Sequence, residues 1–437
     1  MSALVPPSAT PTTPTLASEP STALPKALPS STCGGFFVID SRAWERVCAI
    51  GANAALAYLV LAAFTARDHR TTSASVNSFG TYIGLKRARA EQTMEGLKEA
   101  GLVIDIGEGK RQLVPAHQVP GCEGAPPPPL KPVEQMLYDR LLAGERTLRH
   151  GRCPRLRHNR PDEVAEQLIT KGWARKLLDG AVEPIVYDPV EAAKPQWIWL
   201  PTALVRGVAG GRPLQQLHES GDRAAVHLLV RLYAEQDLPS DGGIHWSAVR
   251  WRYRKVKVDE RGKHDICVFY NPKLELNPHH PAFVRSIPYL DDATDDDRLV
   301  QQLIHRIEQL RRLGFLDVVG HVVTAANEDG EVLHPCSARD GADKERAVMT
   351  AATSAANALI KSDRRFLVYG RFGSDALLLP VDRTMRQAEL LDLVRLRYRP
   401  HTKSIKAWYA QMLDTCARYE AKYKALRAKQ GAGALVT

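Results

Sequence analysis

The sequence predicts an α+β protein, mainly α-helical with small β-hairpins, arranged as several units along 437 residues. Three observations lead there. Apolar residues recur at helical spacing through most of the chain, as in Val76, Phe79, Tyr82 and Ile83, or Ala225, Val226, Leu229, Val230 and Tyr233. At two places a helical pattern ends in a glycine and an apolar strand: Gly101 before Leu102-Val103-Ile104, and Gly314 within Leu310 to Val323. Between Pro120 and Pro132 the run Pro126-Pro127-Pro128-Pro129 predicts a stiff linker and a domain boundary.

Residues 1–32 are rich in Pro, Ser, Thr and Ala, without a basic start or an apolar centre, and predict a disordered tail and not a signal peptide. The unit 33–119 follows. Phe36 to Ile39 has strand character, and Asp40 or Ser41 can cap the turn of helix carrying Trp44 and Val47. Ala52 to Ala66 is apolar nearly all round, which predicts a buried helix. Its most apolar part, Ala54 to Phe64, is shorter than the roughly 20 residues of a membrane span. Thr71-Thr72-Ser73 predicts a small strand. Ser75 is an N-cap for the helix of Val76 to Ile83, and Gly84 can take the positive φ of a tight turn. A second helix spans Lys86 to Ala100, with Ala90, Met94 and Leu97 inward and Gly101 at its end. Gly107-Glu108-Gly109-Lys110 is a hairpin tip before Leu113-Val114.

Beyond the linker 120–132, residues 133–222 form a helical and basic connecting region. Val133 to Leu142 reads as a helix. Arg146 to Arg160 is dense in arginine, a solvated loop or a phosphate contact. Pro161-Asp162-Glu163 opens a helix to about Leu178. Gln196 to Leu200 is a strand with Trp197 and Trp199 on one face, either core or sheet surface, or else a base-stacking platform.

A second unit, 223–382, contains the amphipathic helix Arg223 to Gln236 and a short strand at Ile244-His245-Trp246. Arg250 to Lys257 is a basic and aromatic strand, and Leu299 to Leu313 a helix capped by the acidic run Asp291 to Asp297. Ala342 to Lys361 is alanine-rich and helical. Phe366 to Tyr369 and Ala376 to Leu379 predict a hairpin around Gly370 to Gly373. The tail 383–437 is basic and helical: from Arg383 to Lys429 it holds 12 Lys/Arg against 4 Asp/Glu. Ile405, Met412, Tyr419 and Leu426 recur every seven residues, with Tyr409, Cys416 and Tyr423 four after the first three. Such a seam can pair two chains as a homodimer or pack one helix back on its own body.

Helix, glycine turn, longer helix and hairpin, in that order from Ser75 to Pro115, resemble the winged helix-turn-helix superfamily. Gly84 to Val103 is similar to its recognition helix and first wing strand. The resemblance implies double-stranded DNA as partner. Lys86, Arg87, Arg89 and Gln92 would face the DNA, and Lys110 and Arg111 would reach a phosphate or the minor groove from the wing. Glu91 departs from the pattern, since a carboxylate repels phosphates; it would accept a hydrogen bond from cytosine or brace an arginine. Leu310 to Val323 resembles the same pattern, and predicts a second, divergent winged helix. Two such modules resemble two-winged-helix plasmid replication initiators, and also suit a transcriptional regulator. A protein-docking scaffold without specific DNA binding is the rival.

The net charge of +10 and pI near 9.2 favour an anionic partner. Seven scattered cysteines, at 33, 48, 122, 153, 267, 336 and 416, include no CxxC pair, and predict a reducing cytoplasm without disulfides or a zinc site. No enzyme is predicted, and no cofactor or metal. Gly107 to Arg111 lacks phosphate-loop spacing, and no GxSxG elbow occurs. The aspartate run lacks the glycine and terminal glutamate of a calcium loop. A nicking enzyme using His279, His280 and Tyr270 or Tyr289 is the catalytic alternative, although the adjacent histidines lack the spacer of such metal sites.

Overall fold

A computed structural model describes residues 35–122, 130–144, 161–170, 174–176, 182–184, 194–208, 210–238, 243–290, 295–326, 330–338, 340, 342–373, 375–399 and 402–433. The expected tail 1–32, the polyproline run and the segment Arg146 to Arg160 lie outside the described residues. The architecture is mixed α+β. Among the described residues, no helix is long and apolar enough to cross a membrane.

Strand β1 (Phe36–Asp40) runs into α1 (Ser41–Ile50), where the Asp40 carboxylate accepts from the Arg42 N–H at 3.0 Å and caps the first turn. Helix α2 (Ala52–Ala63) contains no charged residue to turn outward, and from Ala54 onward every side chain is buried. It is the post on which β2 (Thr71–Thr72), α3 (Val76–Ile83), α4 (Arg87–Glu99), β3 (Val103–Gly107) and β4 (Lys110–Leu113) are assembled. Phe79 and Ile83 of α3 and Ala90, Met94 and Leu97 of α4 enter the same core as Leu56, Leu59 and Val60. Gly84, at φ 81°, makes the turn between the two helices, and Gly101, at φ 71°, turns the chain out of α4. Strands β2, β4 and β3 form a three-stranded sheet in that order.

Helices α5 (Pro132–Leu142) and α6 (Pro161–Thr170) share a small core of Leu137, Leu141, Val164 and Leu168 with β5 (Ala174–Lys176), which pairs with β6 (Val182–Pro184). The helix expected to reach Leu178 therefore ends at Thr170. Strand pairing of Ala174–Lys176 overrides local helix preference there. Strand β7 (Trp197–Pro201) pairs antiparallel with β1, from Phe36↔Pro201 to Asp40↔Trp197. Short helices α7 (Ala203–Arg206) and α8 (Pro213–Glu219) lead to α9 (Arg223–Ala234), whose Ala225, Leu229, Val230 and Tyr233 join the main core.

The remainder is built on a six-stranded antiparallel sheet. Its strands are β8 (Val249–Arg261), β9 (His264–Leu276), β10 (Leu316–Val323), β11 (Val332–Pro335), β12 (Leu377–Asp382) and β13 (Glu389–Leu396), in the order β11-β10-β13-β8-β9-β12. Helices α10 (Pro281–Val284), α11 (Asp296–Arg312), α12 (Asp343–Leu359), α13 (Ser362–Phe372) and α14 (Lys403–Gly433) complete the chain. Asp295 caps α11 by accepting from the Arg298 N–H at 2.8 Å.

Three expectations change here. The hairpins are not all small: β8 and β9 have 13 residues each and centre a large sheet. Phe366 to Tyr369 is helical, and β12 pairs with β9 instead. The tail 383–437 is not wholly helical, because Glu389–Leu396 is an interior strand between β10 and β8. Leu390, Leu391, Val394 and Leu396 are buried on both faces of that strand, a pattern without period that only long-range pairing resolves.

The heptad seam also finds its partner within the chain. Met412, Cys416 and Tyr423 of α14 are buried with Val348, Met349 and Ala352 of α12, and Tyr409, Tyr419 and Leu426 pack around them. A homodimer through this seam would require the helix to leave a filled apolar site.

Candidate nucleic-acid interface

Helix α4 is buried on one side and open on the other. Ala90, Thr93, Met94 and Leu97 face the core at i, i+3, i+4 and i+7 spacing, which leaves Lys86, Arg87, Arg89 and Gln92 exposed around its first turns. The helix N-terminus adds unpaired backbone N–H groups and the positive end of the macrodipole to that cluster. Arg87 donates to Glu91 at 2.8 Å and Arg89 to the Gln92 amide oxygen at 3.1 Å. Glu91 thus braces an arginine, one of its two expected roles. The Arg87–Glu91 pair is surface-exposed, so its own contribution to stability is small, ~0.3–0.5 kcal/mol.

A groove of about 370 Å³ lies beside this turn, lined by Val76, Asn77, Gly80, Thr81, Leu85, Arg87 and Arg212. Arg212 precedes α8, far from Arg87 in sequence, and is exposed with one hydrogen bond to Gln215 at 3.3 Å. Helix α8 brings it there by packing on α3, and a Cβ placed on Gly84 would lie 3.3 Å from the Gln215 side chain. Sequence reasoning missed Arg212: an isolated arginine before a proline shows no signal until the fold sets it beside α4.

The hairpin tip is built by three successive positive φ values, at Gly107, Glu108 and Gly109. Lys110 stands exposed next to it, 3.1 Å from the Glu108 carboxylate. Arg111 behaves differently from expectation. Its register opposite Thr72 on one side and Asp105 on the other turns the guanidinium inward, where it donates to the carbonyls of Ala74 at 3.0 Å and Gly109 at 3.3 Å. Asp105 lies 3.3 Å from its Nε and 2.8 Å from Lys98 Nζ. The hydrogen bond from Lys98 holds the Asp105 carboxyl below its ordinary pKa, and the same bond raises Lys98. Arg111 is a strut between the hairpin and the turn before α3, and Lys110 is an exposed cation paired with Glu108.

Of the residues of the catalytic alternative, His279 is exposed and the other three are engaged structurally. The His280 ring accepts from the Ala282 N–H at 3.2 Å as a helix cap, and Tyr270 packs on Phe372 with ring centroids 4.8 Å apart. Tyr289 donates toward Glu45 and lies under the Arg223 guanidinium. Sequence reading also overlooked Ser286, His227 and Glu45, linked at 3.0 Å (Oγ to Nδ1) and 2.9 Å (Nε2 to Oε2). Ser286 and His227 are both fully buried, and the pair of ring nitrogens is used in the reverse sense to a serine-hydrolase triad. Burial holds the His227 pKa below its ordinary value. The cluster joins α1 to α9 as a packed polar contact. Among the described residues, no group of three or more His, Cys, Asp or Glu side chains is placed to hold a metal ion. The described cysteines 48, 122, 267, 336 and 416 are free thiols, all buried.

No protein-family model, characterised protein or solved structure matches the chain.

Proposed function

We propose that the protein is a sequence-selective binder of double-stranded DNA, with residues 33–119 forming a winged helix-turn-helix that docks α4 in the major groove. The observation that carries this reading is the first turn of α4. Lys86, Arg87, Arg89 and Gln92 stand exposed together at a helix N-terminus whose opposite face is sealed into the core. Arginine and glutamine present the forked donors and acceptors that read guanine and adenine edges, each good pair being worth ~1–3 kcal/mol of discrimination. Lys110 on the hairpin and Arg212 beside the groove are positioned as phosphate contacts. The order helix, glycine, strand and hairpin recurs in α11, Gly314, β10 and β11, and we read it as a second, divergent winged helix extended by the neighbouring strands. Two modules in one chain suit a replication initiator on repeated sites or a regulator upstream of a promoter.

The second reading is a protein-docking module. The observation in its favour is that Arg87 and Lys110 each already hold a carboxylate, Glu91 and Glu108. Selection from random duplexes, followed by anisotropy titration of the winners over a salt series, decides between the two. An enriched motif whose affinity Arg87→Ala/Arg89→Ala reduces by several kcal/mol is expected. No motif, with the variant altering only the salt slope, selects the docking module.

A further inference from the structure

The β1–β7 ribbon has one face in the core, through Phe37, Ile39, Ile198 and Leu200. Alternation puts Phe36, Trp197 and Trp199 on the other face. Trp197 is 41% exposed and Phe36 49%, and Phe36 leans on the Trp199 indole with ring centroids 4.7 Å apart. Phe36 and Trp197 are exposed and Trp199 is half-buried between them, beside the buried Val38 and Asp40 of the same face, so two rings of the row stand open to solvent.

The turn before β2 comes up beside one of these rings, Trp197. His69 sits 6.3 Å from Trp197, centroid to centroid, and adopts φ 54°, a left-handed conformation that a residue with a Cβ takes at a cost. Asp68 fixes the turn by accepting from the N–H groups of Arg70 and Thr71 and from the Thr71 hydroxyl, and those bonds lower its pKa. Arg67 and Arg70 flank His69, both exposed and neither with a carboxylate partner among the described residues.

We propose that Phe36, Trp197 and Trp199, with His69, Arg67 and Arg70, form a binding site for unpaired nucleotides of a single-stranded nucleic acid. Rings separated by one residue along a strand offer successive flat faces on which bases stack, and the two guanidiniums meet the phosphates between them. Stacking is sequence-tolerant, because every base has a π-face, so the site holds a strand and does not read it. An acidic or apolar protein partner fits less well: apolar peptides do not call for two exposed arginines, and acidic ones do not call for exposed aromatic rings. The site stands apart from α4 in composition and does not depend on the duplex-binding reading.

The test is anisotropy titration of the full-length protein with fluorescein-labelled dT12, U12 and a blunt duplex, comparing wild type with Trp197→Ala, Trp197→Phe, Phe36→Ala and Arg67→Ala/Arg70→Ala. Wild type is expected to bind dT12 or U12, the stronger arm telling DNA from RNA. Trp197→Ala should weaken that binding roughly tenfold and Trp197→Phe should retain most of it, because a smaller ring still stacks. Duplex affinity should be unchanged by the ring variants and reduced by Arg87→Ala/Arg89→Ala, so failure at one site is separable from failure at the other. Thermal unfolding of each variant checks the fold, and the conservative Trp197→Phe keeps the comparison valid if Trp197→Ala unfolds. Absence of binding to both single strands overturns the proposal. So does binding that only the arginine pair affects, which would be plain electrostatics.

Discussion

Acid should loosen the attachment of α14 to the sheet, and two buried imidazoles set the size of the effect. His321 has Nδ1 at 2.9 Å from the Val319 carbonyl, so that nitrogen carries the proton and Nε2 accepts from Arg395 at 2.7 Å. His334 donates from Nδ1 to the Pro335 carbonyl at 2.9 Å, accepts from the Tyr423 hydroxyl at 3.1 Å, and lies 3.9 Å from the Tyr419 ring. Burial pushes the first imidazole down to about 3, with the Arg395 charge adding to it, and the second to about 4. Both folded pKa values are depressed, so the neutral forms stabilise the fold above ~6.5, the unfolded value, and that stability is lost as pH falls toward 4 and 3. Between pH 7 and pH 5 the unfolded chain takes up a proton at each site that the folded chain refuses, which costs about 2 kcal/mol per site. Urea unfolding followed by circular dichroism at the two pH values measures it. The variant His334→Phe/Tyr423→Phe removes donor and acceptor together, and should lose ~2 kcal/mol less than wild type over the same pH step. An equal loss in both proteins would show that His334 is not held neutral, and the burial argument would fail.

Four shorter predictions follow from the same contacts. Lys110→Ala should reduce the salt slope of duplex binding by about 0.9 and leave the melting temperature unchanged. Arg111→Ala should instead lower thermal stability, because it leaves the Ala74 carbonyl without its donor. Gly84→Ala forces a Cβ into φ 81° and 3.3 Å from Gln215, and should destabilise by ~1–2 kcal/mol in denaturant titration. Arg395→Met strands the buried Glu345 carboxylate, whose ion pair with Arg395 is almost wholly out of solvent, and should cost about 3–5 kcal/mol by the same assay.

What the sequence determined by itself was local. The strand Phe36 to Ile39, the buried helix after Ala52, the small strand at Thr71-Thr72, the two helices around Gly84 and the hairpin tip at Gly107 to Gly109 all occur where periodicity, caps and glycines place them. Those signals act over a few residues, so they are complete before the chain folds on itself. The exposed quartet Lys86, Arg87, Arg89 and Gln92 was legible for the same reason, since helical spacing decides which face stays out. Tertiary structure decided the rest. It paired β1 with a strand far along the chain, Phe36 with Pro201 and Asp40 with Trp197. It turned Glu389–Leu396 into an interior strand, docked the heptad seam of α14 on α12, withdrew Arg111 into the hairpin and set Arg212 beside Arg87. Each of these depends on which distant surface a segment meets, and burial against a partner outweighs local preference whenever the two disagree.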